Sequence, residues 1–187
     1  MIKIILSETG KNESERLNFD IEKSVNKIIE YIPKTDLIGL ERIYITDTPH
    51  RWKKHLDKAA GAYFEKHVSR PAYIEVYLSK MFSHVKGAES MNLMMPLQAV
   101  GLAQTIFHEV GHHVERTQRH GITKNKVENF AYNYARDLLK TYQIDNADSI
   151  NLCFENLKKI AAEKNLSVEI IEGMKKGWET EFRSINK

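Results

Sequence analysis

The spacing of apolar residues predicts two kinds of structure, with a change near residue 78. Before that point, short apolar or alternating runs predict strands at 2–6, 40–46, 61–64 and 72–78, and helical stripes predict helices at 20–32 and 51–60. Beyond it, the pattern predicts a loop over 80–92, then helices at 96–119, 124–141 and 147–164, and a last one after Ser167. The chain is therefore predicted to be α+β, with an N-terminal mixed β-sheet and helices followed by a helical C-terminal half.

The run from residue 72 to residue 78 has the clearest alternation. Its apolar residues share one side and its polar and aromatic residues share the other; these are Ala72, Ile74, Val76 and Leu78 against Tyr73, Glu75 and Tyr77. Because successive side chains of a strand point to opposite faces, this pattern predicts a half-buried strand.

Length and composition fit one folded domain. The chain has 187 residues, of which 42% are hydrophobic and 28% charged, which suffices for a core without disulfides or metals as staples. We expect a single domain over 1–187, with a sheet-containing half at 1–92 and a helical half at 93–187.

Charge and apolar runs argue against several classes of partner. The formal net charge is +3, and the basic residues are interleaved with acidic ones, which gives no clear signal for nucleic acid. No apolar run approaches the roughly 20 residues of a membrane helix, and the N-terminal run is too short for a signal peptide. Cys153 is the single cysteine, so no disulfide can form within the chain. We therefore expect a soluble, cytoplasmic protein.

Residues 108–112 carry the strongest chemical signal, with the sequence His-Glu-Val-Gly-His. In a helix, His108 and His112 lie one turn apart on the same face, so that both imidazoles can bind one metal ion. Glu109 points off this pair, where it can take a proton from a water that the metal activates. Gly111 allows another element to pack closely against the helix between the two ligands.

A catalytic zinc site commonly has three protein ligands, so another side chain is needed. The best candidate is Glu128, sixteen residues after His112 and near the start of the following helix. Ala131 and Ala135 would share its face, and their small side chains permit a close approach of the two helices. Glu128 is therefore the predicted third ligand.

Two other histidines lie close to His112 in the sequence. His120 lies eight residues after His112 and is the alternative third ligand if the first helix ends early. His113 points about 100° away from His112 on a helix and is a poor ligand, so we expect it to be solvated or behind the ligands. Tyr63 is expected in the core.

The motif at 108–112, followed by Glu128-Asn-Phe-Ala131, resembles the gluzincin-type zinc metallopeptidases, in particular the small members. The order of two strands, at 61–64 and 74–78, and then the histidine helix is also similar to zincin catalytic domains. The resemblance covers about 61–140. Metzincins need a histidine six residues after the second ligand, and Gln118 occupies that place.

This resemblance implies a zincin-like fold and a metallopeptidase that hydrolyses a peptide or protein substrate. It implies a Zn²⁺ cofactor held by His108, His112 and Glu128, with Glu109 as the catalytic base. It also implies that the strand before the metal helix is an edge strand, which binds an extended peptide by strand addition. By this resemblance the substrate-binding residues are Tyr73, Glu75 and Tyr77.

The resemblance further calls for a tyrosine or histidine that stabilises the oxyanion of the tetrahedral intermediate. Tyr132, His120 and Tyr134 are the candidates. The C-terminal helix is a candidate for covering the cleft. The alternative function is a zincin-like binding or regulatory domain with little or no hydrolysis, although an intact Glu109 favours the enzyme, since a pure binder needs no base.

Overall fold

The computed structural model describes residues 2–49, 56, 58–68, 70–118 and 124–183. Within them, four strands form one mixed sheet: β1 (Lys3–Leu6), β2 (Leu40–Thr46), β3 (Gly61–Phe64) and β4 (Ala72–Tyr77). The strand order is β1-β2-β4-β3, in which β1, β2 and β4 are parallel and β3 is antiparallel to β4. All four strands lie where the sequence predicts them, and the predicted α+β class is confirmed.

Helices of the N-terminal half accompany the sheet. They are α1 (Glu8–Leu17) and α2 (Ile21–Ile29), with a 3-10 turn at Lys34–Leu37 and the short α3 (Leu78–Phe82) after β4. The sequence did not predict α1, because among its residues only Gly10 and Leu17 are buried and no apolar stripe marks it. Ser7 caps it by accepting a hydrogen bond from the Gly10 N–H at 3.0 Å.

Four longer helices make up most of the C-terminal half. They are α4 (Ala88–Gln118), α5 (Lys124–Asp145), α6 (Ala147–Glu163) and α7 (Glu169–Arg183). The predicted loop over 80–92 is wrong, since α4 begins at Ala88 and includes Pro96 in its interior. Most residues between Ala88 and Pro96 are strong helix formers, and Met91 among them is buried in the core, which supports about two more turns than the predicted start at residue 96. No described helix is both long enough and apolar enough to cross a bilayer.

The core lies between one face of the sheet and α4. Ile43, Ile45, Ile74 and Val76 of the sheet and Leu102, Ile106, Phe107 and Val110 of α4 are all fully buried in one cluster. Helix α2 joins the same cluster with its predicted apolar stripe. The opposite side of α4 packs against α5, so α4 is the central helix of the molecule.

Strand β4 is an internal strand, and the predicted edge position of 72–78 is wrong. It pairs with β2 on one side and β3 on the other, and five of its six residues are buried. The alternation along it therefore reflects two covered faces rather than one covered and one solvated face. The edge strand next to α4 is β3. Which strand lies at the edge depends on how strands that are distant in sequence pair with one another.

Several predictions fall outside the described residues. The helix predicted at 51–60 is described only at 56 and 58–60. His120 and the connection between α4 and α5 are likewise outside the described part of the chain.

Candidate metal centre

Helices α4 and α5 form the walls of the candidate site. Only five residues, 119–123, separate these two closely packed helices, so α5 runs back antiparallel along α4. The two helices approach closely at Gly111, where an added Cβ would be 2.7 Å from the Ala131 Cα. The predicted close approach at Gly111 is thus observed, and it brings Glu128 opposite the two histidines.

The three predicted ligands meet at one point. The Nε2 atoms of His108 and His112 are 3.1 Å apart, and Glu128 Oε2 lies 3.6 Å from each of them. Four-coordinate zinc with ligand bonds of about 2.0–2.2 Å places its ligand atoms about 3.3–3.6 Å from one another. Both distances to Glu128 match this spacing and the distance between the two imidazole nitrogens is slightly shorter, so these residues form a group that could hold a metal ion.

Burial favours the neutral form of the two histidines, which is the form that binds a metal ion. It lowers the pKa of His108, and it lowers the pKa of His112 with help from the neighbouring His108, while the charge of Glu128 acts in the opposite direction on both. A neutral imidazole is the form that binds a metal ion. The site therefore favours the binding-competent state of its two nitrogen ligands at neutral pH.

Glu109 lies beside this triangle and is 7% exposed. Burial raises the pKa of Glu109 to about 8, opposed by a hydrogen bond from the Tyr63 backbone N–H and supported by the charge of Glu128. A carboxyl whose pKa lies near the working pH can accept and return a proton efficiently. Glu109 also lines the same cleft as the ligands, as its predicted role requires.

The edge strand β3 borders the site on the other side. The Tyr77 N–H donates to the Ala60 carbonyl at 2.8 Å, so Ala60 and Ala62 turn their backbone groups towards β4. Gly61 and Tyr63 alternate with them and turn theirs away from β4, towards the cleft. An added Cβ at Gly61 would be 2.8 Å from the Thr105 Cγ2, so glycine permits this close contact of β3 with α4.

His113, next to His112 on α4, forms hydrogen bonds with β3 and with the segment before β2. Its Nε2 lies 3.0 Å from the Ile38 carbonyl and its Nδ1 lies 3.2 Å from the Tyr63 hydroxyl. Because a carbonyl can only accept, Nε2 carries the proton and the Tyr63 hydroxyl donates to Nδ1 of the neutral ring. Burial lowers the pKa of His113, which favours this neutral form. At 1% exposed, His113 is not solvated, so that alternative is wrong.

The site opens into a cleft of about 1110 Å³. Strand β3 forms one wall, α4 the floor and α5 the opposite wall, and the Trp178 side chain of α7 reaches its far end. The cleft contains the metal group, Glu109 and the basic residue Arg116 at one end. The far end, on α5, carries two further basic residues, Arg136 and Lys140.

The structure distinguishes between the residues predicted to stabilise the oxyanion. Tyr132 lines the cleft four residues after Glu128 and is 55% exposed. Tyr134 instead donates to Asp36 Oδ2 at 2.8 Å, and its hydroxyl is held away from the cleft residues. His120 lies outside the described residues. Tyr132 is therefore the candidate that the fold places with the ligands.

The residues predicted to bind substrate lie on another face. Gly61 and its register partner Val76 share the α4 side of the sheet, so Tyr73, Glu75 and Tyr77 alternate to the opposite side. There the Tyr77 hydroxyl donates to Glu75 Oε2 at 2.7 Å, with both residues buried, and Tyr73 stacks on Phe64. None of the three is among the described residues that line the cleft.

Sequence reasoning missed the contributions of Tyr63, Arg116, Arg136 and Lys140 to the cleft. Tyr63 was expected in the core, and it packs against the core while its backbone faces Glu109. The signal for the α5 residues was present, because helical spacing from Glu128 places Tyr132, Ala135 and Leu139 on one face with the basic residues at its rim.

Comparisons of the chain with protein-family models, curated proteins and solved structures give no significant match. The fold and the site therefore define the class of protein. It is a mixed α+β protein with a four-stranded sheet and a mostly helical C-terminal half, and two of its helices bring together a His-His-Glu group that could hold a metal ion. The chemistry of the site residues is the basis for assigning an activity.

Proposed function

We propose that this protein is a zinc-dependent metallopeptidase with a zincin-like fold. The observation that carries the proposal is the convergence of His108, His112 and Glu128, with ligand atoms 3.1–3.6 Å apart, beside a buried Glu109. Two imidazoles and one carboxylate are a donor set that catalytic zinc sites use with three protein ligands. The gluzincin resemblance of the sequence assigns roles to the same four residues.

The residues of the site divide the chemistry among them. His108, His112 and Glu128 would hold the ion, which when bound lowers the pKa of a coordinated water and polarises the substrate carbonyl. Glu109 would accept the proton, since it lies buried beside the ligands and the Tyr63 N–H orients its carboxylate. Tyr132 would donate a hydrogen bond to the oxyanion from the α5 side of the cleft.

An extended peptide would bind along β3 rather than β4. Among the described strands, β3 ends the sheet beside the cleft, and Gly61 and Tyr63 turn backbone groups towards it. A substrate strand added at this edge would pass over the metal group and Glu109. The resemblance implies strand addition at β4, whereas the edge beside the cleft is β3. A sheet edge beside the cleft supports peptides as the substrate class.

The test compares wild-type protein with Glu109→Gln, both loaded with zinc. Removal of the base should lower kcat by at least about 10²-fold on a cleavable peptide or protein while zinc content stays at one ion per chain. Thr117→Val is a suitable control on the same helix, because Thr117 bonds to the His113 carbonyl and lies outside the cleft. Its activity should remain that of the wild type.

Two results would count against the proposal. Equal hydrolysis by wild type and Glu109→Gln would remove Glu109 from the mechanism. Zinc binding without hydrolysis of any peptide in a mixed library would instead support a zincin-like domain that only binds its partner.

A further inference from the structure

We infer that the far end of the cleft is a subsite for a carboxylate of the substrate, bound by Arg136 and Lys140. The inference rests on the proposed function, because it concerns the same cleft. It adds a substrate class to that function: a peptide with a carboxylate a few residues from the scissile bond. The carboxylate can be an aspartate or glutamate side chain or the C-terminal group of a peptide.

The position of the subsite follows from α5. Arg136 and Lys140 come eight and twelve residues after Glu128, which places them about 12 and 18 Å along the helix axis. An extended peptide advances roughly 3.3 Å per residue. The carboxylate would therefore lie roughly three to five residues from the bond at the metal centre, on the side away from Arg116.

The charges of the cleft favour an acidic group at this end. Among the described lining residues, the acidic side chains are Glu65, Glu109 and Glu128, and none of these lies at the far end. Glu109 and Glu128 belong to the metal group, and Glu65 follows β3 towards the Arg116 end. The two cations at the far end thus face a cleft without a nearby carboxylate of the lining.

The counter-charge that the structure supplies is weak. Asp137 lies 3.8 Å from Arg136 and 3.7 Å from Lys140, at the limit of an ion pair, and its side chain is 66% exposed outside the cleft. Such solvent-exposed pairs contribute little. Both basic side chains can therefore turn to a substrate carboxylate without loss of a strong internal contact.

Apolar side chains surround the same end. Leu139, Val100 and Trp178 line it, and the Trp178 ring packs on Phe154 at a centroid distance of 6.1 Å. Apolar surface beside the cations lowers the local dielectric and strengthens their attraction for a bound carboxylate.

The test uses peptides of one sequence in which a single glutamate is moved through every position on both sides of the centre. Matched peptides carry glutamine instead, and each is made with a free or an amidated C-terminus. Binding is measured by fluorescence anisotropy with zinc-loaded Glu109→Gln, and cleavage is measured with the otherwise identical active protein. The two C-terminal forms separate the two sources of the carboxylate.

The variant is the double charge reversal Arg136→Glu with Lys140→Glu. Its matched control is Lys11→Glu with Lys23→Glu, which makes the same change in net charge at exposed first-turn positions of α1 and α2. We expect at least a tenfold preference for the acidic peptide at one or two positions, about three to five residues from the centre. The double reversal should abolish this preference, and the control should retain it.

The outcomes separate the two proposals. Loss of the preference in the reversed variant, together with cleavage, supports both. Loss of the preference in binding without any cleavage supports the subsite and overturns the peptidase. Cleavage with the same acidic preference in the reversed variant, or with none in the wild type, overturns the subsite alone. A failure of every peptide to bind or to be cleaved overturns both.

Discussion

Gly111 of the metal helix lies directly against the backbone of Ala131. An added Cβ at Gly111 would be 2.7 Å from the Ala131 Cα and 3.1 Å from its carbonyl oxygen. These are backbone atoms, which cannot turn aside as a flexible side chain does. Gly111 precedes His112 on α4, and Ala131 lies one turn after Glu128 on α5. Their contact therefore sets the distance between the Glu128 carboxylate and the two imidazoles.

Gly111→Ala should therefore weaken zinc binding by forcing α5 away from α4. A displacement of even a few tenths of an ångström separates Glu128 from the two histidines, and we expect the zinc Kd to rise by about 10–100-fold. The free energy of unfolding should fall by about 1–3 kcal/mol because of overpacking. Zinc competition titration and urea unfolding measure the two effects.

Gly101→Ala is the matched control for this substitution. Gly101 lies on the same helix, and an added Cβ there meets no atom within 4 Å. Alanine at this position should stabilise the helix by about 0.5–1 kcal/mol and leave the zinc Kd unchanged. Similar losses of zinc affinity in both variants would show that the Gly111 contact does not control the site.

The third ligand can be tested with Glu128→Ala and His120→Ala side by side. Because Glu128 Oε2 lies 3.6 Å from both imidazole nitrogens, its removal should raise the zinc Kd by at least about 100-fold. His120→Ala should leave the Kd unchanged. Competition with a zinc-sensitive dye measures both variants, and the opposite pattern would assign the third ligand to His120.

The metal group was predictable because its geometry is local. Helical spacing alone places His108 and His112 on one face, and small residues at Gly111 and Ala131 indicate two helices in contact. The position of Glu128 follows from a short connection between those helices. Each step depends on residues that are close in sequence.

The edge strand was not predictable for the opposite reason. Whether β3 or β4 borders the cleft depends on the order β1-β2-β4-β3, which joins strands that are far apart in sequence. The alternation at 72–78 describes the two faces of a strand and says nothing about its neighbours. The resemblance therefore transferred an edge role to the clearest strand pattern, and the fold gives that position to Gly61–Phe64.

Tyr132→Phe should lower kcat while zinc content and KM remain those of the wild type. Tyr132 lines the cleft from α5, and loss of one oxyanion donor costs about 10²–10³-fold in kcat. Tyr134→Phe is the control, because that hydroxyl donates to Asp36 at 2.8 Å and should cost stability of about 1 kcal/mol without a change in kcat. Steady-state kinetics and urea unfolding separate the roles, and an unchanged kcat in Tyr132→Phe would exclude its assignment.

In the metal-free protein, Glu109→Gln should become more stabilising relative to wild type as the pH rises from about 5 to 8. Burial raises the pKa of Glu109 from 4.5 to about 8, so in this interval the folded state keeps a proton that the unfolded state has lost. Wild type therefore loses stability with rising pH through this group, whereas neutral glutamine does not titrate. The difference in the free energy of unfolding should reach on the order of 2–4 kcal/mol near pH 8. Urea unfolding in a chelator at several pH values measures it. The buried histidines are common to both proteins and cancel in the difference, so a difference that stays constant with pH would show that Glu109 is ionised throughout.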